Sequence, residues 1–422
     1  MKHLQKKYAV IAILIATVTS LAYCTKRNQI IDEITSSTDN VLYSMKVSAE
    51  PTFQPIGGSA WDGNIDAAWN NAKKLTVHAV VPDLGNGTFT GFIGNATDIT
   101  MRSMYDANNI YYLVEWDSPQ KNVRSAQWYF NPTTKLWAQE SGAPALNADG
   151  LTFRPPFIQD QFVMMFNIAN SCKTFISQSC YAACHVNSSY GGPITPEGGV
   201  MYTNGPNEFL DCWRARMLQV INVNQANDTY IDWGNGVLNR NEVKSDLQLN
   251  NGPVPIADGG FNNRQTITIT GTTKKETIPL WVIPAGTYSN SAILLSDTLP
   301  GGAAVKVTAV DSNGVLTLAN STTIDPKVGT DYQQVGVGDG PKCIPGSIVA
   351  PYTGSRGDVT ANGFYTGSGW IILLKRALKT NDTANDVDFS SLSDQPFGVG
   401  AMFNGADNQH AIVVGLMLHF EK

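Results

Sequence analysis

At 422 residues the chain can bury a large core, and 29 Lys and Arg against 35 Asp and Glu leave a net charge of -6. No basic field exists to attract nucleic acid or anionic lipid, so nucleic-acid binding is not expected. Charged residues make up only 15% while Gly alone counts 38, a usage that suits extracytoplasmic strands joined by many turns.

The N-terminus has the order of a secretory signal: Lys2, Lys6 and Lys7 precede an apolar run over residues 8–16. The run is short for a bilayer span. It ends at Leu21-Ala22-Tyr23-Cys24, which resembles the lipobox of bacterial lipoproteins, with Tyr23 departing from the small residue usual before the Cys. Cys24 is therefore expected to carry lipid; the alternatives are an uncleaved signal anchor or a cleaved soluble protein with an odd thiol. All three export the chain, and the expected location is the periplasm or the outer membrane of a Gram-negative bacterium. Residues 1–24 are read as signal, residues 25–55 as a polar tether, and residues 56–422 as the folded domain.

Strand signals begin near residue 60. Asp98-Ile99-Thr100-Met101-Arg102-Ser103-Met104-Tyr105 and Ile110-Tyr111-Tyr112-Leu113-Val114-Glu115-Trp116 flank the turn residues 106–109 and predict a hairpin. Residues 162–168 predict a buried strand in which Met164 and Met165 belong to the core. Residues 177–207 are polar, contain Gly and Pro and lack periodicity, which marks a long loop and a site. Thr-rich alternation at residues 265–270 and 304–310 places extra strands in an insertion at about 250–345. Strand signals return at residues 370–376, 397–403 and 411–414, and no repeat of fixed period is present. The fold class expected is mainly β, a β-sandwich with a long loop and an inserted β-rich segment.

The string carrying chemistry is Cys180-Tyr181-Ala182-Ala183-Cys184-His185. Two thiols across a short spacer can add to the two vinyl groups of haem, and a His directly after the second Cys is held beneath the iron as an axial ligand. The spacer here has three residues where two are usual. A small-loop disulfide, or zinc held by Cys180, Cys184 and His185, are the other readings of this string, but zinc needs further ligands and no second Cys or His cluster is present. Export also favours haem c, one per chain, since attachment takes place outside the cytoplasm.

Several segments, in order, resemble the ethylbenzene dehydrogenase-related haem-binding family. They are Asp62-Gly63 with Trp69, residues 109–119, Met201-Tyr202-Thr203-Asn204-Gly205 with Asp211-Cys212-Trp213, Gly357-Asp358-Val359, residues 370–376, Asp386-Val387-Asp388-Phe389, and residues 397–410. They span roughly residues 60–240 and 345–422 and leave the insertion uncovered. The resemblance implies a β-sandwich with haem at one end. It also implies kinship with haem b subunits of periplasmic molybdenum dehydrogenases and reductases, and with longer c-type members carrying a Cys-x-x-x-Cys-His insertion. The family's axial Met position falls near Met201 and its axial Lys position near His410, so His410 is the expected ligand opposite His185, with Met201 as the alternative. Trp213-Arg214-Ala215-Arg216 stands where the family has Trp-x-Trp-Lys, and Arg214 and Arg216 become candidates to pair with haem propionates, against a plain surface role. His78 and His419 lie in strand contexts that suit packing or surface roles. Cys172, Cys212 and Cys343 leave room for one disulfide and one thiol, of unassigned pairing.

Three functions follow. The first is an exported c-type cytochrome that passes electrons to redox partner proteins, since no nucleophile with a base and no nucleotide-binding glycine loop accompanies the haem motif. The second is a haem subunit of a periplasmic molybdenum oxidoreductase. The third is a non-haem β-sandwich lipoprotein that binds a surface ligand on aromatic residues such as Trp128, Tyr129 and Trp137.

Overall fold

The computed structural model describes residues 40–52, 63–83, 91–140, 145–146, 153–154, 159–183, 203, 205–233, 243–245, 259–284, 292–326, 334–335, 338–339, 344–403 and 410–422. Among them no helix is long and apolar enough to cross a membrane. The chain builds one 12-stranded sheet from β1 (Val41–Lys46), β2 (Leu75–Val80), β3 (Ala96–Tyr105), β4 (Asn109–Asp117), β5 (Gln161–Asn167), β6 (Leu210–Arg216), β7 (Asn227–Ile231), β8 (Val243–Ser245), β9 (Thr360–Tyr365), β10 (Gly369–Ala377), β11 (Gln395–Met402) and β12 (His410–Phe420). The order is β8-β7-β6-β5-β11-β12-β1-β3-β4-β10-β9, with β2 pairing β12 and β3.

That sheet folds over on itself. From β5 to β4 is five strand spacings, about 24 Å along a flat sheet at about 4.8 Å each. Yet Trp116 of β4 stacks on Phe162 of β5 at 5.6 Å between ring centroids, and Tyr112 meets Trp213 of β6 at 5.9 Å. The two halves therefore lie face to face as a β-sandwich, in agreement with the fold class read from the sequence. Alternation assigns the faces: Phe162, Met164 and Phe166 of β5 and Phe397, Val399 and Ala401 of β11 enter the main core. The hairpin at β3 and β4 forms as expected, in register from Ile99 opposite Trp116 to Tyr105 opposite Ile110. Met164 and Met165 are buried.

The tether assigned to residues 25–55 needs correction, because β1 lies within it. β1 pairs in parallel with both β12 and β3, Leu42 and Ser44 are fully buried, and the Ser44 hydroxyl accepts from Ser103 at 2.8 Å. Its six residues mix Ser and Lys with apolar positions, so the period-2 signal is too short to stand out; the neighbours on both sides supply the burial. The folded unit thus includes Val41–Lys46.

Residues 261–284, 292–324 and 347–349 form small sheets apart from the main one, and their core includes Ile278, Val282, Val307, Val310, Leu316 and Leu318. The hairpin Trp128–Asn131 with Leu136–Gln139 packs into that core. Trp128 and Trp137 are interior there, their indole N–H groups donating to the carbonyls of Asn263 and Gly314 at 2.7 and 2.8 Å. They are not the surface platform that the third function would need.

Two polar clamps join the sandwich layers, both carried by β10. At its start, Trp370 Nε1 donates to Asp160 Oδ2 at 2.8 Å, and at its end Arg376 Nη1 donates to Asp211 Oδ2 at 2.6 Å. Arg376 also donates to the Val387 carbonyl, while the Val387 N–H donates to Asp211 at 3.0 Å. The Trp213 and Phe389 rings lie 4.8 and 5.4 Å from the guanidinium carbon. Oxygens of Asp211, Asp228 and Asp386 come within 4.8 Å of one another, and the guanidinium lies among them as their counter-charge. Burial pushes the Asp211 carboxyl up to about 6, against the pull of Arg376. Arg376 stays charged because Asp211, Asp228 and Asp386 outweigh the burial that would lower it.

Two outcomes follow from this node. Arg376→Met leaves three buried carboxylates without their cation and is expected to cost about 3–5 kcal/mol in chemical denaturation. Asp358 is pushed up to about 6 from 3.8, first by burial and then by the nearby Asp386. A raised carboxyl holds its proton longer folded than unfolded, so its cost to stability grows from about pH 4 to about pH 6 and is complete above that range. Asp358→Asn is therefore expected to raise the melting temperature at about pH 7.5 and by much less at about pH 4. An equal gain at both values would contradict this assignment.

Candidate functional site

The outward face of β6, β5 and β11 carries the segment that leads into the Cys-x-x-x-Cys-His string. On β5 that face presents Gln161, Val163 and Met165, the residues alternating with the core set. Register aligns cross-strand rows: Cys212, Met165 and Gly398; Arg214, Val163, Gly400 and Ile412; Arg216, Gln161 and Met402. The strand position of His410 is opposite Met402 and continues the last row.

Helix α1 (Phe175–Gln178) and the 3-10 turn Ser179–Ala182 cover the first row. Phe175, Ala182 and Ala183 are buried against Met165, Leu210, Cys212 and Ile231, and Cys180 packs half-buried at the edge of this cluster. The two Ala of the spacer are thus small because they are pressed onto the sheet. Ser179 adopts φ 49°, a conformation costly for a residue with a Cβ, directly before Cys180. Its seat is Gly398, where a Cβ would lie 1.8 Å from Ser179 Oγ. That Oγ is buried and without a hydrogen-bond partner. A bulge helps the turn to seat: β11 and β12 shift register beside Gly398, where Gly415 of β12 takes φ 74°.

Cys180 is placed on this face, and Arg214 and Arg216 lie half-buried along the same strand face as Cys212. Row one to row three spans four residues, about 13 Å at the rise of a strand. Cys24, Cys184, His185, Met201 and Cys343 lie outside the described residues, and of His410 only the strand position is described. Cys172 is buried in the same cluster as Cys212, and burial, followed by the charge of Glu208, pushes its thiol up. His78 and His419 are surface residues, each 2.7 Å from a carboxylate, Asp98 and Asp394. The residues present suit a thiol-attached planar group: a half-buried thiol at the edge of a turn, Gly400 on the next row of the sheet face, and cations on that face. The glycines at 398 and 400 were the available sequence signal, since Gly inside a strand marks close approach.

A model of the ethylbenzene dehydrogenase family matches residues 66–414. No curated protein sequence matches the chain. Among solved structures, a family 9 carbohydrate-binding module from Caldicellulosiruptor kristjanssonii in complex with glucose aligns over 90% of this chain and 95% of its own, at 8% identity and TM-score 0.26. Its complex with cellotriose aligns over 90% and 93%, at 8% identity and TM-score 0.27.

Gly398→Val tests the seat of the turn. Overpacking against Ser179 is expected to cost about 1–3 kcal/mol of stability and to make Cys180 react faster with a maleimide. Unchanged stability and reactivity would mean that the turn does not rest on Gly398.

Proposed function

We propose, because this chain belongs to the ethylbenzene dehydrogenase family and so is related to a molybdenum enzyme, that it is an exported c-type cytochrome with one covalently attached haem. The observation that carries the reading is the Cys180-x-x-x-Cys184-His185 string, supported by the place of Cys180 on a glycine-bearing sheet face. Haem supplies one-electron chemistry when bound. Cys180 and Cys184 would hold it covalently, and His185 with His410, or Met201 as the alternative, would ligate its iron. Arg214 and Arg216 sit on the same strand face as Cys212, and there they would pair with carboxylates of the group. Lipid on Cys24 would anchor the protein as a periplasmic or outer-membrane lipoprotein, and it would exchange electrons with redox partner proteins, a molybdenum oxidoreductase being one candidate.

Iron held by two imidazoles would have no vacant position for substrate or oxygen, which favours electron transfer over catalysis. His410→Ala is expected to shift the oxidised protein toward high-spin absorption and to let carbon monoxide bind after reduction, with the haem retained. His410→Met keeps six-coordination and raises the potential, since a thioether favours the ferrous state. If Met201→Ala opens the iron while His410→Ala leaves the spectrum untouched, the ligand pair is His185 with Met201.

A further inference from the structure

Between the sandwich and the inserted segment lies a cleft of about 330 Å³ whose described lining includes Arg216, Arg356, Gln219 and Tyr352 and no acidic residue. Both cations are fixed by the fold. Arg216 ends β6, and Arg356 donates from Nε to Asn227 Oδ1 at 2.7 Å with its guanidinium 4.7 Å from the centre of the Tyr352 ring. Gln219, on helix α2 (Met217–Val223), is 8% exposed and its Oε1 lacks a hydrogen-bond partner. That oxygen is sealed from solvent, so the NH2 end of the amide is the one that serves the cleft as a donor. The first N–H groups of α2 are already used, Met217 donating to the Asp160 carbonyl at 3.0 Å and Leu218 to Gln159 Oε1 at 2.9 Å.

The opposite wall approaches closely by construction. Gly259 and Gly260 have φ of 75° and 99°. A Cβ on Gly259 would lie 2.2 Å from the Tyr352 ring, and one on Gly260 would lie 2.0 Å from the Ile348 carbonyl oxygen. Two guanidinium groups and a buried amide around a polar cavity match the chemistry of an oxyanion, which accepts charge-assisted hydrogen bonds from each.

We propose that this cleft binds a carboxylate, with Arg216 and Arg356 as its counter-charges and Gln219 as its neutral donor. The carboxylate has two sources, a free organic acid or a propionate of the haem; the second rests on the cytochrome reading, because Arg216 shares a cross-strand row with Gln161 and Met402 on the face that bears Cys180.

Succinate is the probe, titrated by calorimetry into the full-length haem-loaded protein and into the Cys180→Ala/Cys184→Ala protein. Binding to both forms, weakened at least about tenfold by Arg216→Gln or Arg356→Gln, identifies a free acid as the ligand. Binding to the haem-free form alone, with either substitution shifting the midpoint potential of the loaded protein, identifies the propionate. Gln219→Glu puts a negative charge in the cleft with little change of shape and is expected to abolish succinate binding while the unfolding midpoint stays near wild type. A colourless protein that binds succinate through both arginines upholds the cleft and defeats only the haem reading. The proposal is overturned if succinate binds neither form and the potential ignores both Arg substitutions, or if binding persists unchanged in both variants.

Discussion

The ion pair between Arg376 and Asp211 ties the end of β10 to the start of β6 across the sandwich. It decides which side of each strand is interior. A slip of one residue in either strand would turn the charge outward and exchange every core side chain for a surface one. With Asp211 and Trp213 facing in, Cys212, Arg214 and Arg216 must face out, and with them the whole row structure on which the Cys180 turn rests. Replacing such a node by apolar residues of the same volume is often tolerated energetically, so its use here is best read as fixing register.

Seen this way, several segments that carry the family resemblance mark the clamps more than the haem. Trp370 and Arg376 bound one strand, Asp211 and Trp213 lie opposite, and Val387 and Phe389 close around the guanidinium. Asp358 adds a further carboxyl near Asp386. These residues hold a polar cluster in a low-dielectric core, where each position constrains the others.

Much of the sheet was legible because its strands are long and alternate clearly, as in the hairpin at β3 and β4. The remainder depended on contacts remote in sequence. β1 gains its burial from β12, more than 370 residues downstream at its register with Met417, and nothing in its six residues announces that. The closing of the sheet was not readable either, since it follows from aromatic stacking between strands five places apart. In the candidate site, the Cys-x-x-x-Cys-His string was legible as chemistry, whereas the glycine seat beneath it and the meeting of Arg216 with Arg356 along one cleft arise from contacts remote in sequence.

The cytochrome account makes the outward face of β5, β6 and β11 the working surface and leaves the interior to stability. Its central claim is a covalent bond from Cys180 and Cys184 to haem. The most direct measurement is the intact mass, under denaturing conditions, of protein produced with a haem-maturation system. The account predicts a chain heavier by one haem, and the loss of that increment when both cysteines are Ala. A denatured chain at the mass of the polypeptide alone, with any colour released by acid-acetone, would contradict it.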